Sequence, residues 1–271
     1  MDKRITMYVV THKETNDVYN EDIYRNIYVG KVGKDHVELS DSTGINISDK
    51  NASYCELTAM YWVEKNDKTS EIVGISHYRR FFSKNIISSI MKKKVKGREL
   101  NKLMNKYDIL VPTPTYTRKE NIIEQYGKDH FKKDLLICGE IIEEKYPQYK
   151  SSFKKIINGH FYSQYNMIIA KKEIYSEYLI WLFDILFEAE KRIDTSQYDD
   201  YNKRIFGFLS ERLFNVWLEK NGEKYLVKYL PVYNTEEKTN NLRILARYIR
   251  NRMKIIQNNI LTNGNKKNYE I

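Results

Sequence analysis

Cysteine, proline and glycine are scarce in this chain: two, four and 11 of 271 residues. Two cysteines cannot staple a fold, and a chain of this length needs no staple, because it can bury a substantial core unaided. Cys55 and Cys138 sit in helix-like apolar sequence and read as small buried hydrophobes in a reducing, cytoplasmic compartment. No Pro/Gly-rich linker and no internal repeat divides the chain. No apolar run approaches the roughly 18–20 residues of a spanning helix. The nearest, "YLIWLFDILF", is short and carries Asp184, and "MDKRITMYVV" is too short an apolar run for a secretory leader.

Several chemistries lack their residues. The five histidines form no i, i+4 pair, and no Asp-x-Asp triplet occurs, so no metal cofactor is expected. "GKVG" (30–33) is a lone G-x-x-G, nothing matches a P-loop, and no glycine-flanked serine forms a hydrolase elbow.

Positive charge is abundant: 46 Lys and Arg against 36 Asp and Glu, a formal +10. Such an excess favours an anionic partner, whether a nucleotide, a nucleic acid or an anionic membrane face. A nucleic-acid-binding protein is therefore one alternative. Against it, the basic residues concentrate in the 91–106 excursion and the tail, and the conspicuous polar motifs stand at strand ends.

Alternation of β-branched runs with helical periodicity predicts an α/β fold with a largely parallel sheet. Strands are expected at 5–10, 26–33, 36–41, 70–76, 107–116, 162–172 and 225–234. Helices are expected at 48–66, around 121–149, at 173–193 and at 204–221. Residues 1–235 read as one catalytic-type domain. Residues 236–271 read as a basic tail whose Leu242, Leu245, Tyr248, Ile249, Met253 and Ile256 recur at helical spacing among arginines. Such a helix either lies on an anionic membrane or packs on its own domain.

The stretch "GISHYRRFF" (74–82) places His77, Tyr78, Arg79 and Arg80 where a buried strand leaves the core. Guanidinium forks match phosphate geometry, and strand C-termini border the crevice where open α/β sheets bind ligands. Without an acidic triplet, these cations could neutralise a leaving diphosphate. The structural alternative pairs both arginines with loop acids and leaves His77 a satisfied core histidine.

The series "GINISDKNASYCELTAMYWVEKN", "VGISHYRRFF", "YDILVP", "YNMIIAKKEIYSEYLIWLFDIL" and "RIFGFLSERLFNVWL" resembles the bacterial capsular and exopolysaccharide glycosyltransferases long grouped as a domain of unknown function, across roughly residues 5–230. The resemblance implies a GT-A-like nucleotide-sugar fold. It also implies transfer of a hexosyl group, galactose in pyranose or furanose form, from a UDP-sugar to a lipid-linked oligosaccharide at the inner membrane face. A sugar-phosphate transferase acting on the same polymers is the second alternative. Under this resemblance Thr11, His12, Lys13, Asp41, Asn46, His77, Tyr78, Arg79 and Arg80 face the nucleotide sugar, with Ser48 and Asn51 bordering it or simply capping. Glu211 is the first candidate base, Asp129 and Asp199 the others, and His130, Asn166, Arg204 and Arg212 lie toward the acceptor.

Overall fold

The computed structural model describes residues 3–13, 23–30, 39–261 and 269–270. Its first strand, β1 (Ile5–Thr11), is β-branched and aromatic and buried on both faces, as strands covered by helices on each side are. β2 (Tyr24–Tyr28) pairs parallel to it. After a 3-10 turn come α1 (Asn51–Tyr54), α2 (Leu57–Asn66), β3 (Ile72–His77) and β4 (Arg80–Phe82). The lysine-rich excursion holds α3 (Ile86–Ile90) and α4 (Gly97–Met104), and leads to β5 (Ile109–Pro112) and β6 (Thr115–Tyr116). Three helices follow, α5 (Ile122–Asp129), α6 (Lys132–Lys145) and α7 (Lys150–Ile157), then β7 (Phe161–Tyr162) and β8 (Ile168–Lys171). The remainder is α8 (Lys172–Arg192), α9 (Ile205–Asn221), β9 (Val227–Leu230), β10 (Val232–Asn234), α10 (Asn241–Leu261) and β11 (Tyr269–Glu270).

Among the described residues, nine strands form the central sheet. The pairings give seven of them one direction and reverse only β4 and β8. The expected α/β architecture with a mostly parallel sheet is therefore present. The two sheet faces feed separate cores. Tyr8, Val10, Val73, Ile75, Ile168 and Ala170 meet the larger helical layer, while Met7, Val9, Ile72, Leu110 and Ile169 meet the smaller layer carrying Leu100 and Met104. This alternation is the period-2 side-chain geometry of a strand. α8 and α9 dominate the larger layer, where Tyr178 packs 5.0 Å from Phe214 and 5.3 Å from Trp217 by ring centroids.

Several expected elements differ, among them the strand over 225–234, split at Pro231 into β9 and β10, and the helix around 121–149, split into α5 and α6. The continuous helix over 48–66 is broken at Cys55, which takes φ 51° and ψ −128° between α1 and α2. The run 107–116 stops at Pro112, and Thr115–Tyr116 pairs with β7 in a separate two-stranded sheet, because Pro112 and Pro114 interrupt the ladder. The run 162–172 is not one strand: Tyr162 ends β7 and β8 starts at Ile168, since Tyr165 and Asn166 between them both have positive φ. Of the strands expected over 26–41, Tyr24–Tyr28 is present with a bridge from Tyr28 to Ser40, and residues 31–38 lie outside the described residues.

The His77–Arg80 region is a hairpin. Tyr78 and Arg79 form a two-residue loop with no positive φ, and such unprimed turns splay the strands they join. Accordingly β4 makes one pair with β3 (His77↔Arg80) and then runs beside β10, leaving Ile72–Ile75 to pair with β8.

Candidate active site

The strands that share one direction bring Thr11, His77, Pro112 and Leu230 to one edge of the sheet, and reversed β8 begins there. Thr11 turns the chain at that edge: its hydroxyl donates to the Lys13 carbonyl (2.8 Å) and accepts from the Lys13 amide (3.1 Å). His12 then meets the Tyr78 ring edge-on at 5.1 Å, with Lys13 Nζ at 5.4 Å and the Arg79 guanidinium at 5.6 Å from the same ring. Partial burial, then Lys13, Arg79 and Arg204, hold His12 below the ordinary imidazole range. Three cations that act together on one histidine mark a positive potential suited to an anion.

Across this edge lie two carboxylates. Glu56 sits at the N-terminus of α2, directly after the break at Cys55. Its Oε1 accepts from Asn166 Nδ2 at 2.7 Å, and Asn166 Nδ2 also donates to the Gly207 carbonyl (3.0 Å) while Asn166 Oδ1 accepts from Ser210 Oγ (2.9 Å). Glu211 Oε1 accepts the Tyr165 amide at 2.9 Å and its Oε2 accepts from Arg212 Nη1 at 3.1 Å. Burial raises both acids above the ordinary carboxylate range, and the negative charge of Glu56 raises Glu211 further. Arg204 and Arg80 oppose the rise at Glu56. Arg204 Nε donates to Cys55 Sγ (3.3 Å), and Arg80 stacks over the Tyr165 ring at 4.5 Å.

Three residues at this place, Cys55 (φ 51°), Tyr165 (φ 81°) and Asn166 (φ 49°), hold left-handed backbone without being glycine. Such strain persists only where neighbours over-determine it, and it gathers at functional sites. Here the neighbours are identifiable. Asn51 Nδ2 donates to the Cys55 carbonyl (2.8 Å) and to Thr58 Oγ1 (3.0 Å). Gly207 lets α9 approach closely, because a Cβ there would come 3.3 Å from Cys55 Sγ.

A family profile described as "Domain of unknown function (DUF4422)" matches residues 6–222. The chain belongs to the DUF4422 family. Among solved structures, the apo form of the bifunctional glycosyltransferase WbbM is similar, with a TM-score of 0.77 and 28% sequence identity over 87% of this chain and 46% of that one. The chain thus spans less than half the length of that structure, and its sheet and helices form a glycosyltransferase fold. No curated protein matches. The DUF4422 match contains the whole cluster around Glu56, Arg80, Asn166 and Glu211 and ends before β9, β10 and α10.

Within the DUF4422 region the other expected site residues separate. Arg212 is 4% exposed in its side chain and joins Glu211 to Gln125 and Tyr162. Asp199 caps a 3-10 turn, accepting from the Asn202 amide (2.7 Å) and side chain (3.0 Å). His130 stacks on Phe208 (4.1 Å) and Tyr201 (5.5 Å) and pairs with Asn202, while Asp129 is exposed beside it. Arg204, 5.6 Å from the Phe208 ring, links this patch to the cluster. Asn46 closes a local turn with Gly44 and Ser48, and Asp41 is fully buried behind the Tyr28 bridge. Glu56 was not legible as a site residue. Its only sequence signal is an acid following a cysteine inside an apparently uninterrupted helix. Among the described residues no three His, Cys, Asp or Glu side chains are grouped to hold a metal ion, and no helix is long and apolar enough to cross a membrane.

His77 braces the site. Its pKa is pushed down to about 3 by burial, then by Arg80, against a hydrogen bond with the Tyr165 backbone, with Arg79 adding to the fall. Although the residue is partly exposed, Nε2 is shut off from solvent and has no protein partner. The unfolded chain takes up a proton near pH 6.5 that the fold refuses. Stability from this group is therefore full above pH 6.5 and falls as pH drops toward 3, by up to about 1.4 kcal/mol per pH unit. Denaturant unfolding at pH 7.5 and 5.5 is expected to show a smaller loss in His77→Gln than in wild type; equal losses would remove this account.

Proposed function

We propose that this chain is a glycosyltransferase that moves a hexosyl group, galactose in pyranose or furanose form, from a UDP-sugar to a lipid-linked oligosaccharide in capsule or exopolysaccharide synthesis. The observation that carries the reading is the meeting of a cationic strand-end cluster with two half-buried carboxylates whose pKa values burial raises. His12, Lys13, Tyr78, Arg79 and Arg204 receive the diphosphate and stabilise the charge that builds on it as the glycosidic bond breaks. Glu56 takes the acceptor hydroxyl's proton, and burial raises its pKa, the direction a general base needs. Glu211, with both oxygens engaged by Tyr165 and Arg212, positions the left-handed Tyr165–Asn166 segment. Cations in the place of a metal make the reaction metal-independent in this reading.

Calorimetry of UDP, GDP, CMP and their sugars, in EDTA and in manganese, tests it. UDP is expected to bind in EDTA, and Arg79→Ala to weaken it about tenfold or more, the loss of one charge-assisted contact. Arg79 Nη1 already pairs with Glu236 Oε2 (3.2 Å), a contact the ligand would displace. Binding that requires manganese and ignores Arg79 would remove the diphosphate role.

Membrane contact belongs to the same proposal. α10 leaves Leu242, Ile249, Met253 and Ile256 on one exposed stripe, 74%, 48%, 57% and 48% accessible, flanked by Arg243, Arg250 and Lys254. An apolar face bordered by basic residues suits an anionic bilayer surface at the inner leaflet. Ile249→Asp with Met253→Asp is expected to abolish sedimentation with anionic vesicles while UDP binding persists; unchanged sedimentation would leave the stripe without this role.

A further inference from the structure

The inner side of α10 does something else. Ile244, Arg247, Tyr248 and Asn251 close one wall of a cavity of about 560 Å³ whose opposite wall is Thr113, Gln164, Tyr165 and the β9–β10 bend at Pro231. Arg80 opens into this cavity, so it is continuous with the catalytic cluster through the Arg80–Tyr165 stack. A cavity of about 600 Å³ between α8 and the Pro147–Tyr149 turn contains none of the cluster's residues.

The lining of the first cavity has a definite chemistry. Arg80, Lys238 and Arg247 stand against a single acid, Glu237, whose Oε1 holds Arg247 Nη2 at 2.9 Å. Tyr165 and Tyr248 offer aromatic faces of the kind sugars stack on, and Thr113 Oγ1 is buried without a partner. An excess of cations with aromatic and hydroxyl groups fits a sugar that carries phosphate. Two sources could supply it, the donor nucleotide or a lipid-linked glycan. The position of α10 favours the second: its inner face walls the cavity while its outer face is the exposed apolar stripe, so one helix separates a phosphate-binding pocket from a surface suited to acyl or prenyl chains.

We propose that this cavity is the acceptor site and takes the diphosphate-linked sugar at the head of a lipid-linked glycan, with Arg247 and Lys238 on the diphosphate and Tyr248 against the sugar. The inference rests on the glycosyltransferase reading and adds a binding site built by residues beyond the DUF4422 match, which ends at residue 222. The carboxylate of Glu237 stands in the phosphate's place until the acceptor arrives.

The probe is octyl diphosphate, titrated alongside UDP into the full chain by calorimetry. Octyl diphosphate is expected to bind wild type, and Arg247→Ala and Lys238→Ala each to weaken it about tenfold or more, while UDP affinity stays within about twofold. Arg247 and Lys238 are both exposed, so neither change removes core, and unchanged circular dichroism confirms folding. Absence of octyl diphosphate binding, or binding indifferent to both substitutions, overturns the proposal. Competition between the two ligands, with UDP weakened equally by Arg247→Ala, assigns the cavity to the nucleotide and likewise overturns it. A failure of the transferase reading looks different: UDP would not bind wild type at all, whatever octyl diphosphate does.

Discussion

Glu56→Gln is expected to lower kcat for sugar transfer by about 10²–10⁴-fold, the usual range for a general base, with UDP affinity nearly unchanged. Glutamine keeps an oxygen to accept from Asn166 Nδ2, so the geometry at 2.7 Å survives while the proton acceptor is lost. The pH profile carries the same signature. Burial raises Glu56 above 4.5, so the acid limb of kcat should fall above that value in wild type and vanish in Glu56→Gln. Steady-state transfer assays across pH decide the matter. A variant retaining more than about a tenth of kcat would shift the base to another acid, Glu211 first, since removing a general base costs at least about 10²-fold.

Asn166→Ala is expected to be the most destabilising single change at the site. It removes the donor to Glu56 and Gly207 and the acceptor from Ser210, all within a residue 2% exposed, and places alanine at φ 49°. Unpaired buried groups and left-handed backbone together amount to about 3–5 kcal/mol. For a chain of this size that is a fall of about 6–20 °C in Tm. Asn166→Gly separates the two causes. It relieves the backbone but not the hydrogen bonds, so it should recover only about 1 kcal/mol relative to alanine. Thermal unfolding that finds both variants within 1 °C of wild type would show that the clamp does not support the fold.

The two substitutions act through one network, and their effects should not add. Asn166 lowers the Glu56 pKa through its hydrogen bond, so its loss raises that pKa further and also diminishes turnover near neutral pH.

How far the site was legible depended on how local its determinants are. The cations of the His77–Arg80 hairpin and of Thr11–Lys13 announced themselves, because strand ends are readable from a β-branched run and its polar stop. Glu56 did not, because its partner Asn166 is 110 positions away, and the residue that turns it inward, Cys55, breaks a helix whose periodicity continues on both sides. Glu211 was readable as an acid on a helix, but its engagement by the Tyr165 amide, 46 positions earlier, was not.

By itself the sequence determined the order of strands and helices, the buried stripes of α8 and α9 and the excess of positive charge, because periodicity, branching and composition act over a few residues at a time. Only the tertiary structure decided the direction of β8, the break at Cys55 and the left-handed Tyr165–Asn166 segment, since each is held by contacts between distant parts of the chain. It also decided which side of α10 faces the protein. The helix carries apolar residues at enough angles for two faces, and no local pattern distinguishes the one that packs from the one left in solvent.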